Sequence, residues 1–243
     1  SIDEIKVFGT ALSQTEIQAN YSEMGNTPDQ DGDGIPDEND AYPTDPSRAF
    51  NNYYPSQTFG SLAFEDLWPA YGDYDCNDLV MNIQYQIVTN AQNEVVDLIL
   101  RYRIMAAGAS LNNGFGISLS TLSSNIESIT GCVNLGNAIN LDPVGFEIGH
   151  SDKTVIIPID AVNSLLGNGM VNTIQGGNTV QTEIETVTIH LSNPQESIGT
   201  PPYNPFIFID QTRGHEVHMK DQPPTDLVDP EYFGTYNDAS SPT

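Results

Sequence analysis

Basic residues are the scarcest feature of this sequence. Its 243 residues hold 7 Lys and Arg against 33 Asp and Glu, a formal net charge of −26. A phosphate backbone needs clustered Lys and Arg, so nucleic acid is excluded as a partner. Adsorption to an anionic membrane surface is excluded on the same ground. Cysteine is scarce too: Cys76 and Cys132 are too few for a disulfide scaffold. If paired, they close a loop worth about 4 kcal/mol by chain entropy; the alternative is two buried thiols. No apolar run reaches the roughly 18 residues of a membrane span, so no membrane insertion is expected. No signal peptide reads at Ser1, and the chain reads as clipped from a longer protein. Catalytic signatures are absent as well. There is no G-x-S-x-G elbow, no cysteine with a recognisable catalytic partner, and no lysine in the Gly-rich stretch 167–178. A sequence this acidic always offers carboxylate pairs, so a glycosidase reading has little support and no enzyme is expected.

What is present is a β pattern. Residues 79–88 place Leu79, Met81, Ile83, Tyr85 and Ile87 on one face, and residues 95–106 place Val96, Leu98, Leu100, Tyr102 and Ile104 on one face. Asp97, Arg101 and Arg103 lie opposite. This alternation predicts a long hairpin with one wet face. Further strands are expected near 114–120, 124–130, 144–149, 153–159, 180–191, 205–210 and 215–219, with a short helix at 160–166 opened by Asp160. The fold class is therefore mainly β, an antiparallel β-sandwich. Ahead of it, residues 1–24 read as a strand at 2–8 and a helix opened by the capping box Ser13–Glu16. These cannot bury a core alone. They form either a docking arm or a strand that adds to a neighbouring subunit and builds a fibre.

The charge is concentrated. Residues 29–45 hold seven carboxylates and no base. Asp29, Asp31 and Asp33 fall at positions 1, 3 and 5 of a calcium loop. Gly34 takes the turn position, Ile35 offers a carbonyl, and Asp37 and Asp40 take positions 9 and 12. Pro36 and Pro43 argue against the flanking helices of an EF-hand, and Asp45 extends the set toward a second cation. A second constellation joins Glu65 and Asp66 to Asp73, Asp75, Asn77 and Asp78. Asp73, Asp75 and Asn77 alternate and would share a face in an extended chain, with Asp78 pointing the other way. Oxygen-only ligands suit a hard cation such as Ca²⁺; a turn capped by Asp and Asn is the alternative. His215 and His218 are three apart, not four as a zinc helix requires, and read as structural. Arg213 or Lys220 pairing with Glu216 or Asp221 reads as a surface contact of small worth.

Three resemblances follow from these motifs. The run from Asp29 to Asp45, with Pro43, resembles a cysteine-free thrombospondin type 3 calcium repeat, which implies a Ca²⁺-binding linker over 25–50. FEDLWP at 64–69, GDYDCNDLV at 72–80, NPFIFID at 204–210, RGHEVHMKD at 213–221 and PPTDL at 223–227 resemble the LruC domain family of bacterial surface and secreted proteins. That likeness covers 51–243 and implies an extracellular address. IDEIKVFGTALSQTEIQANY is similar to the end of a laminin G-like or concanavalin A-type domain. The expected function is a non-enzymatic, calcium-binding structural or adhesive module, with self-association or other surface proteins as partners. A carbohydrate-binding module is the alternative, with Tyr53, Tyr54, Trp68, Tyr71 and Tyr74 as stacking aromatics.

Overall fold

Alternating apolar residues build the longest strands, β3 (Leu79–Thr89) and β4 (Val95–Ala106), as the sequence pattern requires. They are seen in a computed structural model that describes residues 7–23, 27–68, 73–135, 138–177 and 179–232. On β3 and β4, Leu79, Met81, Ile83, Tyr85, Leu98, Leu100, Tyr102 and Ile104 face inward and are fully or almost fully buried. The register slips between Val88 and Thr89. Beside this slip Val88 is buried, whereas Ile87 is only partly so. Two short strands absent from the sequence reading, β1 (Phe50–Tyr54) and β2 (Gly60–Phe64), lie end to end along the free edge of β3. The remaining strands are β5 (Gly114–Leu119), β6 (Ile126–Thr130), β7 (Thr154–Ile159), β8 (Glu185–Gln195), β9 (Pro205–Ile209) and β10 (Thr212–His218).

Among the described residues these form two antiparallel sheets. One runs β1-β3-β4-β8-β6, with β2 also on β3, and the other runs β10-β9-β5-β7. Their inner faces meet in one core, where Phe115, Ile117, Ile156, Ile207 and Ile209 of the second sheet pack on the hairpin. The fold is thus the expected β-sandwich. The second sheet is also apolar outside, through Val155, Ile157, Phe206 and Phe208. Gly114 and Gly116 of β5 stand opposite Phe208 and Phe206. A methyl at either glycine would lie 2.0 or 2.3 Å from the ring, so only glycine lets these rings lie flat across β5. The segments 138–152 and 219–232 cover this outer face.

Several expectations are corrected. Residues 144–149 form no strand, only a bridge from Leu141 to Glu147, because Gly145 and Gly149 adopt φ of 113° and 110°. Asp160 does not cap a helix. It is buried and accepts the Leu135 N–H at 2.8 Å, and the short helix α2 spans Asn163–Leu166. Cys76 and Cys132 are unpaired, and burial pushes the Cys132 thiol up to about 12. The capping box does form: Ser13 N donates to Glu16 at 2.9 Å and Glu16 N to Ser13 Oγ at 3.3 Å, opening helix α1 (Gln14–Glu23). Most of strand 2–8 lies outside the described residues, and Val7 and Phe8 are exposed. Among the described residues no helix is long and apolar enough to cross a membrane.

Candidate metal centres

The acidic segment 29–45 folds as successive Asx turns. Asp29 accepts the N–H groups of Gly32 at 2.8 Å and Gly34 at 3.1 Å. Asp31 accepts from Asp33 at 3.2 Å, Asp33 from Ile35 at 2.7 Å, Asp37 from Gln30 at 2.8 Å and Asp40 from Tyr42 at 2.7 Å. The second oxygens of Asp31, Asp33 and Asp40 are buried and have no partner. Oxygens of Asp29, Asp31 and Asp33 converge within 4.8 Å. Burial raises the Asp31 carboxyl above its ordinary value; the hydrogen bond from Asp33 opposes this, and the charges of Asp33, Asp40 and Asp29 add to it. Asp37 and Asp40 stand outside the tight trio. Ile35 is partly buried. Asp45 is engaged elsewhere, by Ser47 and by Arg48 at 2.6 Å. Arg48 also pairs with buried Asp97 on β4 at 2.6 Å, which fastens the acidic segment to the sandwich. His190 is the other partner of Asp97.

The second constellation is assembled by strand register. β2 pairs with β3 so that Phe64 faces Leu79. Glu65 and Asp66, just after β2, are therefore carried against Asp78, just before β3. Asp66 N donates to Asp78 at 2.8 Å, and Asp66 accepts from Asn113 at 2.9 Å. Glu65 is only 7% exposed, and neither of its oxygens has a hydrogen-bond partner of normal geometry. Its carboxylate belongs to two groups whose oxygens converge within 4.8 Å, one with Asp66 and Asp78 and one with Asp73 and Asp75. The nearby Cys76 N–H favours its charged form. Burial and the charges of Asp78, Asp73 and Asp66 outweigh that and raise the carboxyl. Asp66 is raised to about 6, first by burial, then by Asp78 and Asp210, against the stabilising bond from Asn113.

The expected sharing of one face by Asp73, Asp75 and Asn77 is only partly seen. Tyr74 and Cys76 adopt left-handed φ of 55° and 53°, which breaks the extended chain. Asp73 and Asp75 turn to Glu65, whereas Asn77 donates to Asp75 and packs on Gly108. Gly108 N donates to Asn77 O at 2.9 Å, and a methyl on Gly108 would fall 1.5 Å from Asn77 Oδ1. Gly108→Ala is therefore expected to displace the 75–78 turn, costing roughly 1–3 kcal/mol. Thermal melts would register the loss, and a calcium titration should weaken in parallel. Unchanged melting would mean that this contact is slack.

The model of the family described as "Domain of unknown function (DUF4842)" matches residues 93–243, more than half of the chain. The chain belongs to this family. No curated protein matches it. A solved structure, "Putative lipoprotein from Bacteroides ovatus", is similar over 72% of this chain at 16% identity, with a TM-score of 0.48. The chain spans 56% of that protein's length. Both acidic clusters precede the DUF4842 match. Within the match lies a polar centre that the sequence reading mistook for a surface pair.

That centre is built on Arg213 of β10. The register of β10 on β9 slips between Thr212 and Glu216, which turns Arg213 onto the outer face above Phe206 and Phe208, 5.1 and 5.7 Å from their ring centres. Its guanidinium grips Glu147 with two bonds of 2.6 Å and also binds Glu216. The side chains of both glutamates are fully buried. Thr225 N donates to Glu216 at 2.9 Å, His218 binds Glu216 at 2.8 Å, and His150 binds Glu147 at 3.0 Å. Burial alone would raise the Glu216 carboxyl. The bonds from His218 and Thr225 and the charge of Arg213 win, and carry it down to about 2. One arginine thus ties β10 to both covering segments of the DUF4842 region. The signal in the sequence was a base placed beside an apolar strand in a chain with only 7 bases.

Proposed function

We propose that this protein is a calcium-ordered structural or adhesive module, non-catalytic, of a bacterial surface or secreted protein. One observation carries the reading: Asp31, Asp33 and Glu65, each with a buried, unpartnered carboxylate oxygen, belong to clusters of converging carboxylates. Such oxygens are costly to leave unmet, and a hard cation meets several at once. Asp29, Asp31 and Asp33 would hold one ion, with Asp37, Asp40 and the Ile35 carbonyl completing it on the loop spacing. Glu65, Asp66 and Asp78, with Asp73 and Asp75, would hold another. A hydrolase needs two carboxyl groups about 5–9.5 Å apart around a substrate bond; oxygens converging within 4.8 Å suit an ion better.

Binding would order the 29–45 segment against the sandwich, to which Arg48 already anchors it, and so fix the direction of whatever precedes it. Extracellular sites typically bind with dissociation constants of about 10⁻⁴–10⁻³ M, which an extracellular address makes sufficient. The test is a thermal melt in EDTA and in millimolar Ca²⁺. A site at a hundred times its dissociation constant adds about 2.7 kcal/mol, so Tm should rise by roughly 5–10 °C for a chain of this size. Mg²⁺ should do less, since it keeps its waters. Equal melting in EDTA and Ca²⁺ would end the reading.

A further inference from the structure

Resting on that reading, we infer that the ion held by Glu65, Asp66, Asp73 and Asp78 keeps an open face, and that this face binds a neutral glycan through a vicinal pair of hydroxyls. Small-ligand pockets measure about 300–1,000 Å³; the one beside these carboxylates measures about 530 Å³. Glu65, Asp66, Asp73 and Asp78 line it together with Gly108, Leu111 and Met170. An ion held by these carboxylates would border the cavity. Ca²⁺ takes six to eight oxygens, and ligands from the cavity would fill the rest.

Charge selects the class of ligand. Glu65, Asp66, Asp73, Asp75 and Asp78 bring five negative charges against two on the ion, and no base lines the cavity. A phosphate, a sulfate or an acidic peptide would be repelled. A vicinal diol supplies two oxygens without charge. A pair of aromatic rings, an apolar platform, adjoins the cavity's lining residues in sequence. Leu67 lines the cavity. Trp68 and Tyr74, next in sequence to Leu67 and Asp73, are 44% and 47% exposed, with ring centres 6.4 Å apart and planes at 70°. A hydrogen bond from His215 to the Trp68 backbone holds this platform to β10, and His215 itself stacks on Tyr232 at 4.0 Å. Exposed indole and phenol rings, next in the chain to residues that line the cavity, suit the apolar face of a pyranose. Of the aromatics expected to stack on sugar, Tyr53 and Tyr54 lie on β1 and do not line this cavity. Tyr71 lies outside the described residues.

The probes are the methyl glycosides of mannose, fucose and galactose, followed by saturation-transfer NMR on the whole chain in Ca²⁺ and in EDTA, with thermal melts in parallel. Binding of at least one glycoside in Ca²⁺ and its loss in EDTA is the expected result. Trp68→Ala, an exposed change, should keep the calcium shift in Tm and weaken the glycoside roughly tenfold or more. A calcium shift with all three glycosides inert overturns the glycan inference and leaves the calcium reading standing. So does a calcium-dependent dimer that forms while the glycosides stay inert, since a second protein then fills the open face. Glycoside binding that survives EDTA also overturns the inference. No calcium shift at all removes both readings.

Discussion

Arg213→Met is expected to lower stability by about 3–5 kcal/mol, because it leaves two buried carboxylates without their cation. Glu147 and Glu216 have no exposed side-chain surface, and each is held by Arg213. Neither can turn to water without lifting the segments that carry residues 147 and 225 off Phe206 and Phe208. The pH dependence should change sign as well. In the wild-type protein Glu216 sits near 2, against 4.5 for the free side chain. Its contribution is fully present above pH about 4.5 and is lost as pH falls through about 2. Without Arg213, burial works on Glu216 against the bonds from His218 and Thr225 alone; its carboxyl rises, and once above 4.5 the folded state binds protons more readily than the unfolded one. Arg213→Met should therefore gain stability, relative to its value at pH 7, as pH falls toward 5. Urea unfolding at the two pH values measures both effects. A loss below about 1 kcal/mol, the range of an exposed pair, would return Arg213 to the surface role first read for it. Replacing Glu147 and Glu216 by Gln alongside Arg213→Met should recover much of the loss, since the cost lies in the unpaired charges.

The contrast between Arg213 and the hairpin explains what the sequence made legible. Strands β3 and β4 were readable because one face is buried along most of their length, so burial and period coincide. β1 was not: FNNYY has no alternation of its own, and it becomes a strand because the β3 edge offers it backbone partners. β2 begins with Gly60 and is only five residues long. Residues 144–149 had the right apolar content, but two glycines at positive φ let the chain fold over the second sheet instead. Arg213 was hidden for a different reason. Its burial depends on segments 66 and 12 residues away in sequence, and no local pattern encodes that distance. The acidic clusters sit between these cases. Ligand spacing identified Asp29, Asp31 and Asp33 as a group, because their turns are local. It placed Glu65 only as an upstream neighbour. The register of β2 on β3, a tertiary fact, makes Glu65 the residue that Asp66, Asp73, Asp75 and Asp78 share.

Glu65→Gln should accordingly move stability in opposite directions with and without calcium. In EDTA the wild-type carboxylate has the Cys76 N–H set against burial and the charges of Asp78, Asp73 and Asp66, which outweigh it. The balance disfavours the folded, ionised state. Gln has nearly the same shape, brings no charge and can donate to a neighbouring carboxylate, so the variant should be more stable than wild type by about 1–2 kcal/mol. In Ca²⁺ the order should reverse. The ion loses the ligand common to both carboxylate groups, and the linked stabilisation of about 2.7 kcal/mol at a hundredfold excess over the dissociation constant shrinks or vanishes. Calorimetric titration should show one calcium fewer, with binding at Asp29, Asp31 and Asp33 unaffected, since that loop shares no ligand with the second cluster. A structural carboxylate behaves otherwise: if Glu65 held the turn by a hydrogen bond, Gln would be neutral or harmful in both conditions. The crossing of the two melting curves therefore separates a ligand from a strut. A variant less stable than wild type in EDTA would exclude the ligand role, whatever calcium does to the rest of the chain.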